Sequence, residues 1–129
     1  WGQGPTHSQN LQSWFAHIPG LKVVMPSNPS DAKSLLISSI QDPNPVVFIE
    51  HRWLHNTTDI MEETKELNIG EARICRKGEH ITIVAVSIMT LESLKAAEYL
   101  EKKQLQKVHI KSILCSLSKE ILLSYFLKK

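Results

Sequence analysis

Leu21-Lys22-Val23-Val24-Met25-Pro26, then Asn28-Pro29-Ser30-Asp31, then Val46-Val47-Phe48-Ile49: these blocks, read together, decide the fold. The first is a short apolar run stopped by proline, which predicts a strand. In the second, Asn28 caps a helix, Pro29 occupies its first turn and Asp31 sits near its positive end. That helix is expected to run to about Gln41 and to bury Ala32, Leu35, Leu36 and Ile40. Asp42-Pro43-Asn44-Pro45 is a stiff turn, and 46–49 suits a strand covered on both faces. Strand, helix, strand at this spacing implies a right-handed parallel crossover, so the first half is α/β.

Upstream, Gly4-Pro5 makes a turn that delivers His7 to a loop tip. Ser8 or Asn10 is expected to cap a helix carrying Leu11, Trp14, Phe15 and Ile18 as one apolar stripe, ended by Pro19-Gly20. Downstream, 50–67 turns polar and aperiodic and reads as a connector, with a boundary near Thr64. A second α/β unit follows. It has an edge strand at 72–76, a turn at Lys77-Gly78 and a buried parallel strand at 81–86. Thr90 is expected to cap a helix carrying Leu94, Ala97 and Leu100, and a strand returns at 107–114. Ser118 is expected to cap a last helix, and the run 122–127 is apolar on too many sides for an exposed one.

The 129 residues, 42% hydrophobic and 22% charged, describe a globular chain. A net charge of +2 without a basic run argues against nucleic acid. No apolar span is long enough to cross a bilayer. Cys75 and Cys115 suit a reducing compartment, so the expected location is the cytoplasm, or the mitochondrial matrix in a eukaryote.

Gly-Pro-Thr-His-Ser-Gln (4–9), Pro-Gly-Leu-Lys-Val-Val-Met-Pro (19–26), Asp-Ala-Lys-Ser-Leu-Leu (31–36) and Asn-Pro-Val-Val-Phe-Ile-Glu (44–50) resemble, in this order, the beta subunit of thiamine-diphosphate-dependent 2-oxoacid dehydrogenases. The resemblance runs from residue 1 to roughly Leu100. It implies a parallel-sheet pyrimidine-binding domain part at 1–63 with its connector, then a transketolase C-terminal-type α/β part at 64–129. It further implies decarboxylation of a 2-oxo acid and acyl transfer to a lipoyl arm, the cofactor supplying the electron sink. His7 matches the family's histidine at the reacting end of the cofactor, work that suits an imidazole.

The same resemblance implies a potassium ion in some members, at positions matching Ser39, Ile40, Asp42 and Asn44. The cofactor's diphosphate and magnesium would sit mainly on an alpha subunit, in a heterotetramer that docks on a lipoylated acyltransferase core. The family's catalytic glutamate would precede Trp1, no Gly-Asp-Gly-like motif occurs, and 112–118 departs from the family's pattern. The chain is therefore expected to be a fragment, inactive alone.

Other features read more plainly. His51 and His55 are spaced for a metal on a helix but lack a third ligand, so they read as surface or interface histidines. His17 reads as helix-end packing, and Gly2-x-Gly4 is too short for a phosphate loop. Trp53 and Leu54 suit a buried subunit contact or a local anchor. Two other readings compete: a transketolase-like or deoxyxylulose-phosphate-synthase-like enzyme, and a non-catalytic α/β assembly module.

Overall fold

The structure, a computed structural model, describes residues 3–59 and 67–113. Asn28 caps α2 (Pro29–Gln41) by accepting the Asp31 amide at 2.8 Å, with Pro29 in the first turn as its fixed φ favours. β1 (Lys22–Val24) and β2 (Val46–Phe48) flank this helix in sequence and pair in parallel, Val23 opposite Val47. The ladder continues one step, the Ile49 amide donating to the Val24 carbonyl at 2.9 Å. Val24 and Leu35 form the buried centre here, with Val46, Phe48, Leu67 and Ile69 packed around them.

Several expectations about burial need correction. α2 buries Asp31, Ser34 and Leu35, while Leu36 and Ile40 are exposed, Ile40 at 76%. The helix turns only a narrow face inward, because a two-stranded sheet is too small to cover a wider one. For the same reason β2 is half-buried rather than covered on both faces.

The first helix, α1, is only Gln12–Ala16. Neither Ser8 nor Asn10 caps it; Leu11 stands at the cap position with no side-chain bond. Five residues make little more than one turn, so the intended stripe splits. Leu11 and Phe15 are half-buried and Ile18 is exposed, as is Trp14 at 73%.

The second sheet is ordered β3-β5-β4 from β3 (Ala72–Arg76), β4 (Ile81–Val86) and β5 (Val108–Ile113). β3 is the expected edge strand, antiparallel to β5 with a bulge between Ile74 and Arg76. β4 pairs in parallel with β5 but lies at the other edge, so Ile81 and Val84 are exposed where burial was expected. α3 (Ile88–Lys102) packs on β4 and β5. Ala97, Val108 and Ile110 form the second core, flanked by Cys75, Ile83, Leu94 and Leu100.

Ser87, not Thr90, precedes α3, and it adopts φ 52°, ψ −130°. That region strains any residue with a Cβ. Its hydroxyl is buried and finds no partner among the described residues. Ser87→Gly should therefore raise stability by about 1 kcal/mol, read as a shift in urea midpoint at constant slope. Loss of stability would mean that the hydroxyl has a partner.

Thr90 instead joins a buried chain of hydroxyls. Its Oγ1 lies 3.2 Å from Ser112, Ser112 donates to Ser27 at 3.3 Å, and Ser27 donates to the Asp31 carboxylate at 2.8 Å. Arg73 of β3 closes on the same carboxylate at 3.1 Å. The start of α2, β3, β5 and α3 are thus tied together by directional polar contacts. The boundary near Thr64, Cys115, the helix from Ser118 and the run 122–127 lie outside the described residues. Among the described residues no helix is long and apolar enough to cross a membrane.

Candidate functional site

Gly4 takes φ +74°, a conformation open to glycine, and Pro5 then fixes the next bend. The turn closes by a 3.3 Å bond from the His7 amide to the Gly4 carbonyl. Gln9 ties the loop back through a 2.7 Å bond from Nε2 to the Pro5 carbonyl. His7 is thereby held at the surface, with Nδ1 2.8 Å from Thr6 Oγ1.

The imidazole borders an open cleft of about 380 Å³. Met25, just past β1, and Ile49, just past β2, lie in its wall together with Glu50, His51, Arg52 and Trp53. The carboxyl ends of parallel strands are where such crevices form, because the connecting loops part there. A neighbouring cleft of about 320 Å³ shares Glu50 and His51 and adds Asn28, Leu54 and His55 among its residues.

The polar stretch read as a connector therefore supplies the wall facing His7. Arg52–Leu54 forms a 3₁₀ turn capped by His51, whose Nδ1 accepts the Trp53 amide at 3.3 Å. The His51 and Trp53 rings meet edge to face, centroids 5.9 Å apart. Arg52 donates from Nη1 to Gln3 Oε1 at 2.5 Å, bridging the two walls. The signal for these residues was positional, since they directly follow the second parallel strand. His55 does not join His51 at a metal: its Nε2 lies 3.5 Å from Glu50 Oε2. Among the described residues no three His, Cys, Asp or Glu side chains gather to hold a metal. Trp53 is half exposed, and His17 stands at the end of α1 away from the cleft.

Ser39, Ile40, Asp42 and Asn44 do gather at the end of α2, but the Asp42 carboxylate is already engaged. The Ser39 hydroxyl donates to the Leu35 carbonyl at 2.6 Å, and Asp42 accepts from Lys22 at 2.5 Å and from the Asn44 amide at 2.9 Å. A potassium ion here would compete with an ammonium already in place. The hydrogen bond from Lys22, then that from the Asn44 amide, lowers the Asp42 pKa from 3.8 to about 2. A depressed carboxyl contributes stability that is present above pH 3.8 and lost as pH falls toward 2. Lys22→Met should flatten that acid limb in a pH series of thermal melts.

Residues 2–57 match the family profile of the transketolase pyrimidine-binding domain. The chain is 49% identical over 98 residues to the pyruvate dehydrogenase E1 component subunit beta of Staphylococcus epidermidis, covering 74% of this chain and 30% of that one. It is 47% identical, with the same coverage, to the corresponding subunit of Staphylococcus aureus. The chain thus spans about a third of the length of these relatives. Among solved structures, a split-gene transketolase in an inactive β4 tetramer superposes with TM-score 0.67 at 19% identity, over 78% of this chain and 32% of that one. A Pichia stipitis transketolase complexed with sedoheptulose 7-phosphate gives TM-score 0.68 at 18% identity, over 94% and 19% respectively. The last two are likenesses of fold, whereas the matched profile and the identity to the two subunits carry descent. Over 98 residues the chain is thus similar to pyruvate dehydrogenase E1 beta subunits, with the transketolase pyrimidine-binding pattern at residues 2–57.

Proposed function

We propose that this chain supplies the His7 wall of the active site in a thiamine-diphosphate-dependent 2-oxoacid dehydrogenase, as part of a beta subunit working with an alpha subunit. The observation that carries this reading is a surface imidazole, set by a Gly-Pro turn, at the rim of a cleft where two parallel strands end. In this reading residues 1–63 form the pyrimidine-domain part with its connector, and 64–129 the transketolase C-terminal-type part.

The cleft suits one edge of a flat heterocycle. Met25, Ile49 and Trp53 offer apolar surface, and His7, Ser8 and Gln9 offer polar groups at the rim. When bound, thiamine diphosphate supplies the electron sink for decarboxylation of a 2-oxo acid. The rest falls to this chain's side chains. Thr6 can donate to His7 Nδ1 or accept from it, because a hydroxyl rotates to suit. His7 Nε2 is accordingly presented to the reactant either as a donor or as an acceptor, so one imidazole can deliver or remove a proton there. In this reading the proton it handles belongs to acyl transfer onto the dithiolane of a lipoylated acyltransferase core. A potassium ion at Ser39, Ile40, Asp42 and Asn44 would have to exchange for Lys22, and no step runs through it.

The test is co-expression of the beta subunit that contains this chain with an alpha subunit, followed by an assay of oxidative decarboxylation and of lipoyl acylation. Wild-type complex should do both, and His7→Ala should lower acylation about 100-fold or more, the usual scale for a positioned proton donor or acceptor. Unchanged acylation removes His7 from the mechanism. Ketol transfer between sugar phosphates would favour the transketolase reading, and a stable complex that restores no turnover would favour the assembly module.

A further inference from the structure

The wall opposite His7 presents hydrogen-bond donors of its own. His51 Nδ1 accepts the Trp53 amide, so in the neutral ring the proton resides on Nε2, and that nitrogen is a donor. The edge-to-face contact with Trp53 holds the ring plane. The cap thus selects this tautomer of the neutral ring.

Next to it stands Arg52, whose guanidinium is always charged and carries five N–H donors in a planar fork. Gln3 occupies one of them from across the cleft, which steers the fork and leaves other donors for a ligand. Glu50 also lines the cleft, but its Oε2 lies 3.5 Å from His55, which belongs to the neighbouring cleft and not to this one. Among the described residues that line this cleft Arg52 is the one Lys or Arg side chain, and His7 and His51 line it too, a setting for a small anion with two oxygens.

We infer that Arg52, with the Nε2–H of His51 beside it, is a carboxylate-recognition pair that receives the carboxylate of the small 2-oxo acid at the cleft facing His7. This rests on the function proposed above for its substrate, though not for its anion. The pair orients the acid, and the proton chemistry remains with His7. Planar bidentate contact is what distinguishes Arg from Lys at such a site.

The experiment has two arms. In the first, the labelled chain is titrated with propanoate and, as a neutral isostere, propanamide, and the His51 ring and Arg52 Nε–H signals are followed by NMR. Propanoate should shift both, and propanamide neither. Arg52→Gln should abolish the response. His51→Asn keeps a cap for the 3₁₀ turn while removing the Nε2–H donor, so it should weaken the response without loss of fold. In the second arm, the reconstituted complex should show KM for the 2-oxo acid raised about tenfold by Arg52→Gln, with kcat kept within a few-fold. Arg52→Lys should recover only part of the loss.

If propanoate leaves both signals unmoved, or Arg52→Gln leaves KM unchanged while His7→Ala abolishes acylation, the inference is overturned and the proposed function stands. If the wild-type complex turns over no 2-oxo acid yet propanoate still moves both signals through Arg52, the proposed function falls. The carboxylate site then stands.

Discussion

Arg73→Ala should destabilise the chain by about 3 kcal/mol at neutral pH, and the deficit should shrink as the solution is acidified. The reason lies with Asp31, whose carboxyl is only 2% exposed. Burial pushes its pKa up from 3.8, opposed by the Ser27 hydrogen bond and by the Arg73 charge, with Asp59 adding to the rise. Removing Arg73 leaves a buried carboxylate with the Ser27 hydroxyl and the start of α2 as its remaining support. The lower end of the range for a broken buried pair applies, because the Arg73 side chain is itself 39% exposed and water can enter where it stood.

The pH dependence follows from the direction of the shift. A carboxyl raised in the folded state contributes most below its unfolded value of 3.8. That contribution is lost as pH rises through the folded value. Without Arg73 the loss is larger, so urea midpoints of wild type and variant should converge toward pH 4 and diverge toward pH 7. Asp31→Asn in the Arg73→Ala background should remove most of the neutral-pH deficit, since the amide carries no charge to strand. A deficit independent of pH would place the effect in lost packing of the arginine stem.

Gly78→Ala should cost at least about 3 kcal/mol, the upper end of overpacking penalties. A Cβ at this position would stand 2.3 Å from the Val108 carbonyl carbon and 2.5 Å from the His109 nitrogen. Both are backbone atoms where β5 begins, so no side-chain rotation relieves the overlap. The chain must instead move β5 away from the turn that leads into β4. Near-wild-type melting of Gly78→Ala would show that the turn approaches β5 less closely than described. Gly4→Ala has open space around it, and only the strain of its left-handed φ would be felt.

These two sites also show where reading the sequence ran out. α2 was legible because its cap, its first-turn proline and the strands beside it are all local signals. Asp31 looked like a helix-start charge, which it is, but its partner Arg73 is 42 residues away and no local pattern announces it. β4 reads as a buried strand from composition alone. It lies at an edge because the later strand β5 takes the central place, a matter of pairing order.

The exposed face of α1 has a similar cause. Trp14 and Ile18 are apolar at helical spacing, but five residues of helix resting on β1 cannot cover them. His7 was legible through its Gly-Pro turn and the block around it, whereas His51 and Arg52 were hidden in a polar stretch. Their significance is where the chain places them, at the end of β2 facing the turn that carries His7.

The central position of β5 bears on how the polypeptide is made. Once Phe48 has left the ribosome, β1 and β2 have each other, and the first sheet can zip while synthesis continues. β3 and β4 both hydrogen-bond to β5, and not to one another, so among the described strands they emerge with no mate. Until Val108–Ile113 follows, two nascent strands must wait with bare edges, the state in which a growing chain is most open to chaperones and to wrong partners.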